Sequence, residues 1–196
     1  MTSGSLHPEI IRAQCRPRRR GCSFGLTPRA IWLLAAGLLL ALPGFFHASW
    51  SLGMVEWDAL ILAAAIFDWL RLPQPERIVI ARSWNNAPAL DSETEIELAI
   101  EQHGGGILQC RILDDLPDAL AATPPEHNLH AYPNARAHLR YRFQPRERGD
   151  VQTGAVYLRY SSPLGLVERW AMAPLEQTVR VYPTLRRGED LSLIHI

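Results

Sequence analysis

The sequence predicts a membrane-anchored all-β protein, in which a two-helix transmembrane hairpin precedes an immunoglobulin-like β-sandwich of about seven strands. Three observations predict this architecture. Residues 30–55 carry no charged side chain, and residues 55–70 form a second apolar run. Residues 76–188 then alternate apolar and polar side chains between turns, a pattern typical of strands with one buried face.

The first segment, residues 1–29, is predicted to be a basic N-terminal tail in the cytoplasm. The 196-residue chain has a formal net charge of zero, and its 20 Lys and Arg residues are all Arg. We attribute this bias to a GC-rich coding sequence, so it does not indicate a nucleic-acid partner. The arginines that precede the first apolar run are Arg12, Arg16, Arg18, Arg19, Arg20 and Arg29.

Residues 30–72 are predicted to hold two transmembrane helices, at about 30–49 and 54–71. The first is dense in Leu and Ala, as a helix of about 20 residues that crosses a bilayer must be. The second is weaker, because acidic residues stand near its two ends, where a carboxylate can still reach the lipid headgroups. These acids are Glu56, Asp58 and Asp68.

The arginines predict the orientation of this hairpin. They precede the first apolar run and follow the second, at Arg71, Arg77 and Arg82, while the short loop between the runs has none. By the positive-inside rule both termini of this multi-pass protein lie in the cytoplasm. Two alternatives stay open: the first run is a cleaved signal peptide, or the second is a buried or interfacial helix, and an odd number of spans would place the rest outside the cytoplasm.

Prolines at 73 and 75 mark the boundary between the hairpin and the sandwich, which is predicted at 76–188. The apolar positions that recur at every second residue predict the strands. These positions are Ile78 and Ile80; Ile96, Leu98 and Ile100; Leu108, Cys110 and Ile112; Leu139, Tyr141 and Phe143; Val156, Leu158 and Tyr160; and Val179 and Val181. A further short strand is expected at 166–170. Residues 114–136 show no sustained period and are expected to form a long connection between strands.

No pattern in the sequence indicates catalysis, and we predict no catalytic, cofactor-binding or metal-binding residue. The chain lacks a nucleophile elbow, a phosphate-binding loop and a dinucleotide fingerprint. The acids at 114, 115 and 118 lack a calcium-loop pattern, and the histidines are scattered. Cys15, Cys22 and Cys110 have no metal spacing and are expected to be unpaired thiols. The protein is therefore not expected to be an enzyme.

Two surface patterns remain open to a functional interpretation. The outward arginines Arg140, Arg142 and Arg159 form either an ordinary solvated sheet face or a basic stripe on anionic lipid headgroups. The triplet at 148–150 reads R-G-D, and a turn that uses glycine for its backbone freedom explains it.

Residues 148–170, together with V-R-V-Y-P at 179–183, resemble the bacterial family known as domain of unknown function 58. The resemblance rests on an R-G-x-x-x-x-G turn, an S-P-L-G-L corner and the V-x-V-Y-P strand, and it extends to D-D-L-P at 114–117 and to the two apolar runs. It implies a structurally critical corner, not a catalytic site. The corner residues are Arg148, Gly149, Pro163 and Gly165.

Together with the predicted hairpin, the resemblance implies a membrane-anchored, cytoplasm-facing protein-interaction module at the bacterial inner membrane. Its partners would be the lipid bilayer and a MoxR-type AAA ATPase, which it would assist in assembling or activating membrane or envelope proteins. Two alternatives are an anchor for a larger envelope enzyme, transglutaminase-like or hydrolytic, and an adhesion module outside the cytoplasm. Relatives continue into a region resembling a von Willebrand factor A domain. We expect this chain to be a truncated fragment in which residues 191–196 are a non-native tail.

Overall fold

Two facing β-sheets form the centre of the protein in a computed structural model, which describes residues 10–18, 23–39 and 48–183. Twelve strands and two helices lie within these residues. In chain order they are β1 (Ile11–Gln14), β2 (Arg16–Pro17), β3 (Phe24–Leu26), α1 (Pro28–Leu39), α2 (Ala48–Arg71), β4 (Ile78–Trp84), β5 (Thr94–Gln102), β6 (Leu108–Asp114), β7 (Glu126–Ala131), β8 (Arg136–Phe143), β9 (Gly149–Thr153), β10 (Val156–Ser161), β11 (Val167–Ala173) and β12 (Gln177–Val181).

The strands pair antiparallel in both sheets. The first sheet has the order β1-β4-β5-β8, and the second has the order β2-β11-β10-β6-β7, with β3 also paired to β11. A separate ribbon consists of β9 and β12. The strands of both sheets alternate buried and more exposed residues, for example in β4 and β5. One continuous apolar core joins Ile80 and Leu98 of the first sheet to Ile112 and Leu158 of the second. The sandwich part of the sequence prediction therefore agrees with the structure.

The two helices pack against each other at one end of the sandwich. Thr27 caps α1, because its hydroxyl accepts a hydrogen bond from Ala30 N at 3.4 Å, and Pro28 occupies the first helical position. Trp57 Nε1 of α2 donates to the carbonyl oxygen of Leu33 at 2.9 Å. The helices approach closely at Gly37, where a side-chain carbon would lie 2.7 Å from the Trp57 ring. The second helix ends at Arg71, just before Pro73 and Pro75.

The predicted transmembrane hairpin is wrong. Across residues 10–18, 23–39 and 48–183, neither helix has both the length and the apolar character that crossing a bilayer requires. The helix α1 spans 12 residues. The longer α2 carries Glu56, Asp58 and Asp68, and carboxylates are costly in hydrocarbon. The membrane anchor, and with it the predicted inner-membrane location with both termini in the cytoplasm, is corrected by this finding.

The described residues form more strands than the sequence predicted. Three short strands, β1 to β3, lie within the segment expected to be a tail, and they extend both sheets. The expected long connection at 114–136 contains β7, which pairs with β6 along its length. Apolar periodicity did not predict β7, because Glu126 to His130 are all polar or partly exposed. The predicted non-native tail at 191–196 lies outside the described residues.

Candidate functional site

The interior of the sandwich contains a charged pair that connects the two sheets. Arg82 of β4 is fully buried and forms an ion pair with Asp114 of β6. Its guanidinium also donates to Thr153 Oγ1 at 3.0 Å and to the carbonyl oxygen of Leu175 at 2.8 Å. Tyr141 of β8 donates its hydroxyl to Asp114 at 2.5 Å. Burial raises the pKa of Asp114, and the guanidinium of Arg82 opposes that effect.

The R-G-x-x-x-x-G turn and the D-D-L-P segment meet at the buried pair of Arg82 and Asp114. Arg82 Nη2 donates to the carbonyl oxygen of Gly154, the second glycine of the R-G-x-x-x-x-G turn, at 3.2 Å. A side-chain carbon on Gly154 would come within 2.8 Å of the carboxyl carbon of Asp115, so this position requires glycine. The D-D-L-P segment and the turn are therefore held together by packing and by Arg82. The arrangement is structural, because its polar groups are satisfied by one another in the core.

A second buried carboxylate joins α2 to the sandwich. Asp68 is fully buried and accepts hydrogen bonds from the backbone N–H groups of Leu166 at 3.0 Å and Val167 at 3.1 Å. The hydroxyl of Ser162 donates to the other carboxylate oxygen. We call Asp68 and the 162–167 turn the corner junction. Asp68 was expected near lipid headgroups, whereas it binds this turn.

The corner junction also holds the start of α1. Thr27 donates its backbone N–H to the carbonyl oxygen of Leu166 at 3.0 Å, and its hydroxyl donates to the carbonyl oxygen of Gly165. Gly165 has a φ of +63°, a left-handed conformation that favours glycine. Pro163 is exposed at the outer side of the turn. Both helices are thus fixed to one turn of the sandwich.

The predicted corner residues divide between two places. Pro163 and Gly165 belong to the corner junction, whereas Arg148 and Gly149 lie at the start of β9, which pairs with β12. Gly149 has a φ of +122°, which accounts for glycine in the R-G-D triplet. Arg148 is exposed, and its side chain makes no hydrogen bond to a residue that the structure describes. Sequence reasoning missed Asp68, Ser162 and Thr27; an acid in an otherwise apolar helix was the available signal for the first.

The helices expose an unusual amount of apolar surface. Trp32 of α1 is 75% exposed, and Leu38, Leu60 and Leu70 are also largely exposed. We call this the apolar hairpin surface. Its exposed members are Ile31, Trp32, Leu38, Leu39, Leu52, Val55, Leu60, Leu62, Ile66, Phe67 and Leu70. Large exposed apolar patches mark interaction sites.

The outer faces of the two sheets differ in charge. On the first sheet, β8 cations pair with β5 acids: Arg140 with Glu97 at 3.3 Å, and Arg142 with Glu95 at 3.3 Å. Arg159 lies on the other sheet, so the three arginines considered for a basic stripe do not share a face. The pairing with Glu residues neutralises Arg140 and Arg142, as expected for a solvated face.

On the second sheet, a cleft of about 630 Å³ lies between the start of α1 and the strands β6, β7, β10 and β11. We call it the arginine cleft, because Arg29, Arg111 and Arg159 line it. Arg159 donates to Glu168 at 2.7 Å through Nε and again through Nη2. These hydrogen bonds raise the pKa of Arg159 above its ordinary value. The other polar residues of the lining, besides Glu168, are Thr27, Gln109, Asn128, His130, Tyr160 and Ser161.

The residues weighed for metal or redox chemistry lie apart. Within the three described ranges, no three His, Cys, Asp or Glu residues form a group able to hold a metal ion. His127 stacks on Tyr141, and His138 contacts Glu97 at 2.6 Å. Cys15 and Cys110 are buried, unpaired thiols, and burial raises the pKa of each to about 12. Cys22 lies outside the described residues.

Comparisons with known proteins give no assignment. Neither a protein family nor a curated protein matches the chain. Among solved structures, the CARDB domain of a Pyrococcus furiosus protein in complex with metal ions is similar at 11% identity and a TM-score of 0.31, covering 53% of this chain and 84% of that domain. The alkylpurine DNA glycosylase AlkC of Pseudomonas fluorescens, bound to DNA, is similar at 11% identity and a TM-score of 0.30, covering 76% of this chain and 46% of the enzyme. Both TM-scores lie below 0.5, and neither structure assigns a fold or a function to this chain.

Proposed function

We propose that this chain is a non-catalytic protein-interaction module whose apolar hairpin surface binds a protein partner. The observation that carries the proposal is the exposure of large apolar side chains on both helices, of which Trp32 at 75% is the extreme case. Burial of such side chains contributes about 25 cal/mol for each Å² removed from water, so a matching surface would gain substantially by covering them. Aromatic side chains such as Trp32 are enriched among the residues that dominate binding.

The corner junction supports the same proposal. A binding surface is most effective when it is fixed before the partner arrives, because ordering it then costs little entropy. Asp68 and Thr27 fix both helices to the turn at 162–167 through buried hydrogen bonds. The ring of Trp69 adds contacts with Phe24 and with the guanidinium of Arg169. The start of α1 and the end of α2 are therefore both tied to the sandwich.

The resemblance to domain of unknown function 58 supplies the partner of this proposal, a MoxR-type AAA ATPase. In this role the sandwich would hold the hairpin in place while the ATPase acts on other proteins. The chain itself would supply no catalytic group, since the buried charged residues Arg82 and Asp114 are used to connect the sheets.

Binding of the full chain to a purified MoxR-type AAA ATPase tests the proposal. We expect saturable binding in a biosensor assay, and a loss of at least tenfold in affinity in the double variant Trp32→Ser and Leu60→Ser. Both side chains are exposed, so the variant should keep its fold. Tyr132→Ser is the matched control, because Tyr132 is 55% exposed and lies outside the hairpin. Absence of binding by the unaltered chain, or equal losses in Tyr132→Ser and the double variant, would overturn the proposal.

A further inference from the structure

The arginine cleft combines an excess of positive charge with a concave, open shape. Three guanidinium groups and one carboxylate, that of Glu168, line it. Arg111 and Arg159 lie directly opposite each other on neighbouring strands, where like charges destabilise a sheet. Two glutamates reduce this cost: Glu168 binds Arg159, and Glu126 lies 3.3 Å from Arg111 and also acts electrostatically on Arg159.

The acids of the protein compensate these arginines only in part. Glu168 is occupied by Arg159, which it binds through both carboxylate oxygens. Arg111 contacts Glu126 at 3.3 Å, but both side chains are about half exposed, and exposed pairs contribute little. Arg29 forms no ion pair with any residue that the structure describes. The guanidinium of Arg29 is therefore available to an anion, and Arg111, whose two contacts both use Nε, has its terminal N–H groups available.

The neutral side chains of the cleft complete a set of hydrogen-bonding groups. Gln109, Asn128 and Ser161 line it alongside the arginines. Asn128 Oδ1 accepts from Arg111 Nε at 3.4 Å, which orients that guanidinium on the sheet. Arg presents a planar fork of N–H groups that matches the oxygens of phosphate and carboxylate.

The size of the cleft favours a small ligand. Its volume of about 630 Å³ falls within the range of roughly 300–1,000 Å³ that small-molecule sites occupy. The start of α1, at Thr27 to Arg29, lines one part of it and β7 lines another. The corner junction holds α1 in place, so this wall of the cleft is fixed by the same contacts that fix the hairpin.

We propose that the arginine cleft binds a small, multiply charged anion that bears phosphate or carboxylate groups, with Arg29 and Arg111 as its principal cationic contacts. This site is separate from the apolar hairpin surface, so it does not depend on the proposed protein partner.

Calorimetric titration of the full chain with pyrophosphate and, separately, with citrate tests this proposal. We expect saturable binding of at least one of them at low ionic strength, weakening as salt is added. The tighter of the two identifies phosphate or carboxylate as the preferred group. Arg29→Gln and Arg111→Gln should each weaken binding by more than tenfold, and Arg111→Lys should weaken it less than Arg111→Gln because it keeps the charge but loses the fork.

Arg140→Gln is the matched control, because Arg140 is exposed on the outer face of the first sheet and pairs with Glu97. Binding by this variant should equal that of the unaltered chain. The proposal is overturned if neither anion binds with a dissociation constant below the millimolar range, or if Arg140→Gln weakens binding as much as Arg111→Gln. Circular dichroism verifies that each variant is folded. A lack of anion binding would leave the ATPase-binding result unaffected, so the two proposals are tested independently.

Discussion

Arginine–carboxylate pairs occur both inside the sandwich and on the outer face of its first sheet, and they differ mainly in their contact with water. The side chains of Arg82 and Asp114 are 0% and 1% exposed, whereas those of Arg142 and Glu95 are 66% and 26% exposed. The buried pair has lost its hydration and depends on its partners in the protein. The exposed pair keeps water as an alternative partner, so its attraction is largely screened. An arginine–carboxylate pair is therefore costly to break in the core, whereas on the outer face it contributes little.

Removal of one member of the buried pair should have the largest effect. Asp114→Asn leaves the guanidinium of Arg82 buried without a counter-charge, and breaking a buried pair in this way costs about 3–5 kcal/mol. We expect a loss of that size in the free energy of unfolding, measured by urea denaturation at pH 7.

Two further variants sharpen this prediction. Arg142→Gln, on the outer face, should change the free energy of unfolding by less than about 1 kcal/mol. Replacing both buried members, as in Arg82→Met with Asp114→Leu, should recover part of the loss because no charge then remains unpaired. If Asp114→Asn and Arg142→Gln cost equal amounts, the distinction between the two regions fails.

A substitution at the corner junction should have an intermediate effect on stability, because the buried carboxylate of Asp68 binds neutral donors and no cation. Asp68→Ala leaves the backbone N–H groups of Leu166 and Val167 without an acceptor, which costs about 1–3 kcal/mol for a buried group. We expect a lower melting temperature and faster proteolytic cleavage near Leu72, where α2 joins the sandwich. Glu56→Ala, an exposed acid on the same helix, should leave both measurements unchanged. Unaltered proteolysis of Asp68→Ala would contradict the role of the junction.

A substitution on the outer face of the first sheet should have the smallest effect on the free energy of unfolding, and this effect should depend on pH. Hydrogen bonding to His138, together with Arg140, lowers the pKa of Glu97 below its ordinary value of 4.5. The folded state therefore gains stability from this carboxylate above about pH 4.5, and loses it as the pH falls through the lowered pKa. Glu97→Gln should be less stable than the unaltered chain at pH 7, by less than about 1 kcal/mol, and the difference should be smaller at pH 3. Urea denaturation at pH 7 and at pH 3 measures this difference in the free energy of unfolding. A difference that grows as the pH falls would refute the stabilising role of the Glu97 carboxylate.

Periodicity in the sequence was sufficient to place the strands that have one strongly apolar face. The alternations at 78–80, 96–100 and 156–160 fall within β4, β5 and β10. It was insufficient for β7, an edge strand whose inward face holds only two apolar residues, Leu129 and Ala131. The pattern also could not reveal β1 to β3, which are too short to establish a period.

The errors at the candidate sites arose because a local sequence pattern does not reveal contacts between distant residues. Asp68 stands within an apolar helix, and hydropathy alone placed it near a headgroup region. Its real partners, Leu166 and Val167, lie almost a hundred residues away in the sequence, and no local pattern connects them. The arginine cleft likewise depends on strand register, which places Arg111 opposite Arg159.

By itself the sequence determined which side chains must leave water, because the alternation of apolar and polar residues specifies a buried face whatever the partner strand is. It also determined the glycines at 149 and 165, whose left-handed backbones suit no other residue as well. Only the tertiary structure decided which charges meet: Arg82 with Asp114, Asp68 with the corner, and Arg29 with the cleft. Electrostatic and hydrogen-bonding partners are selected by distance in space, and that distance follows from sheet order and register, not from spacing along the chain.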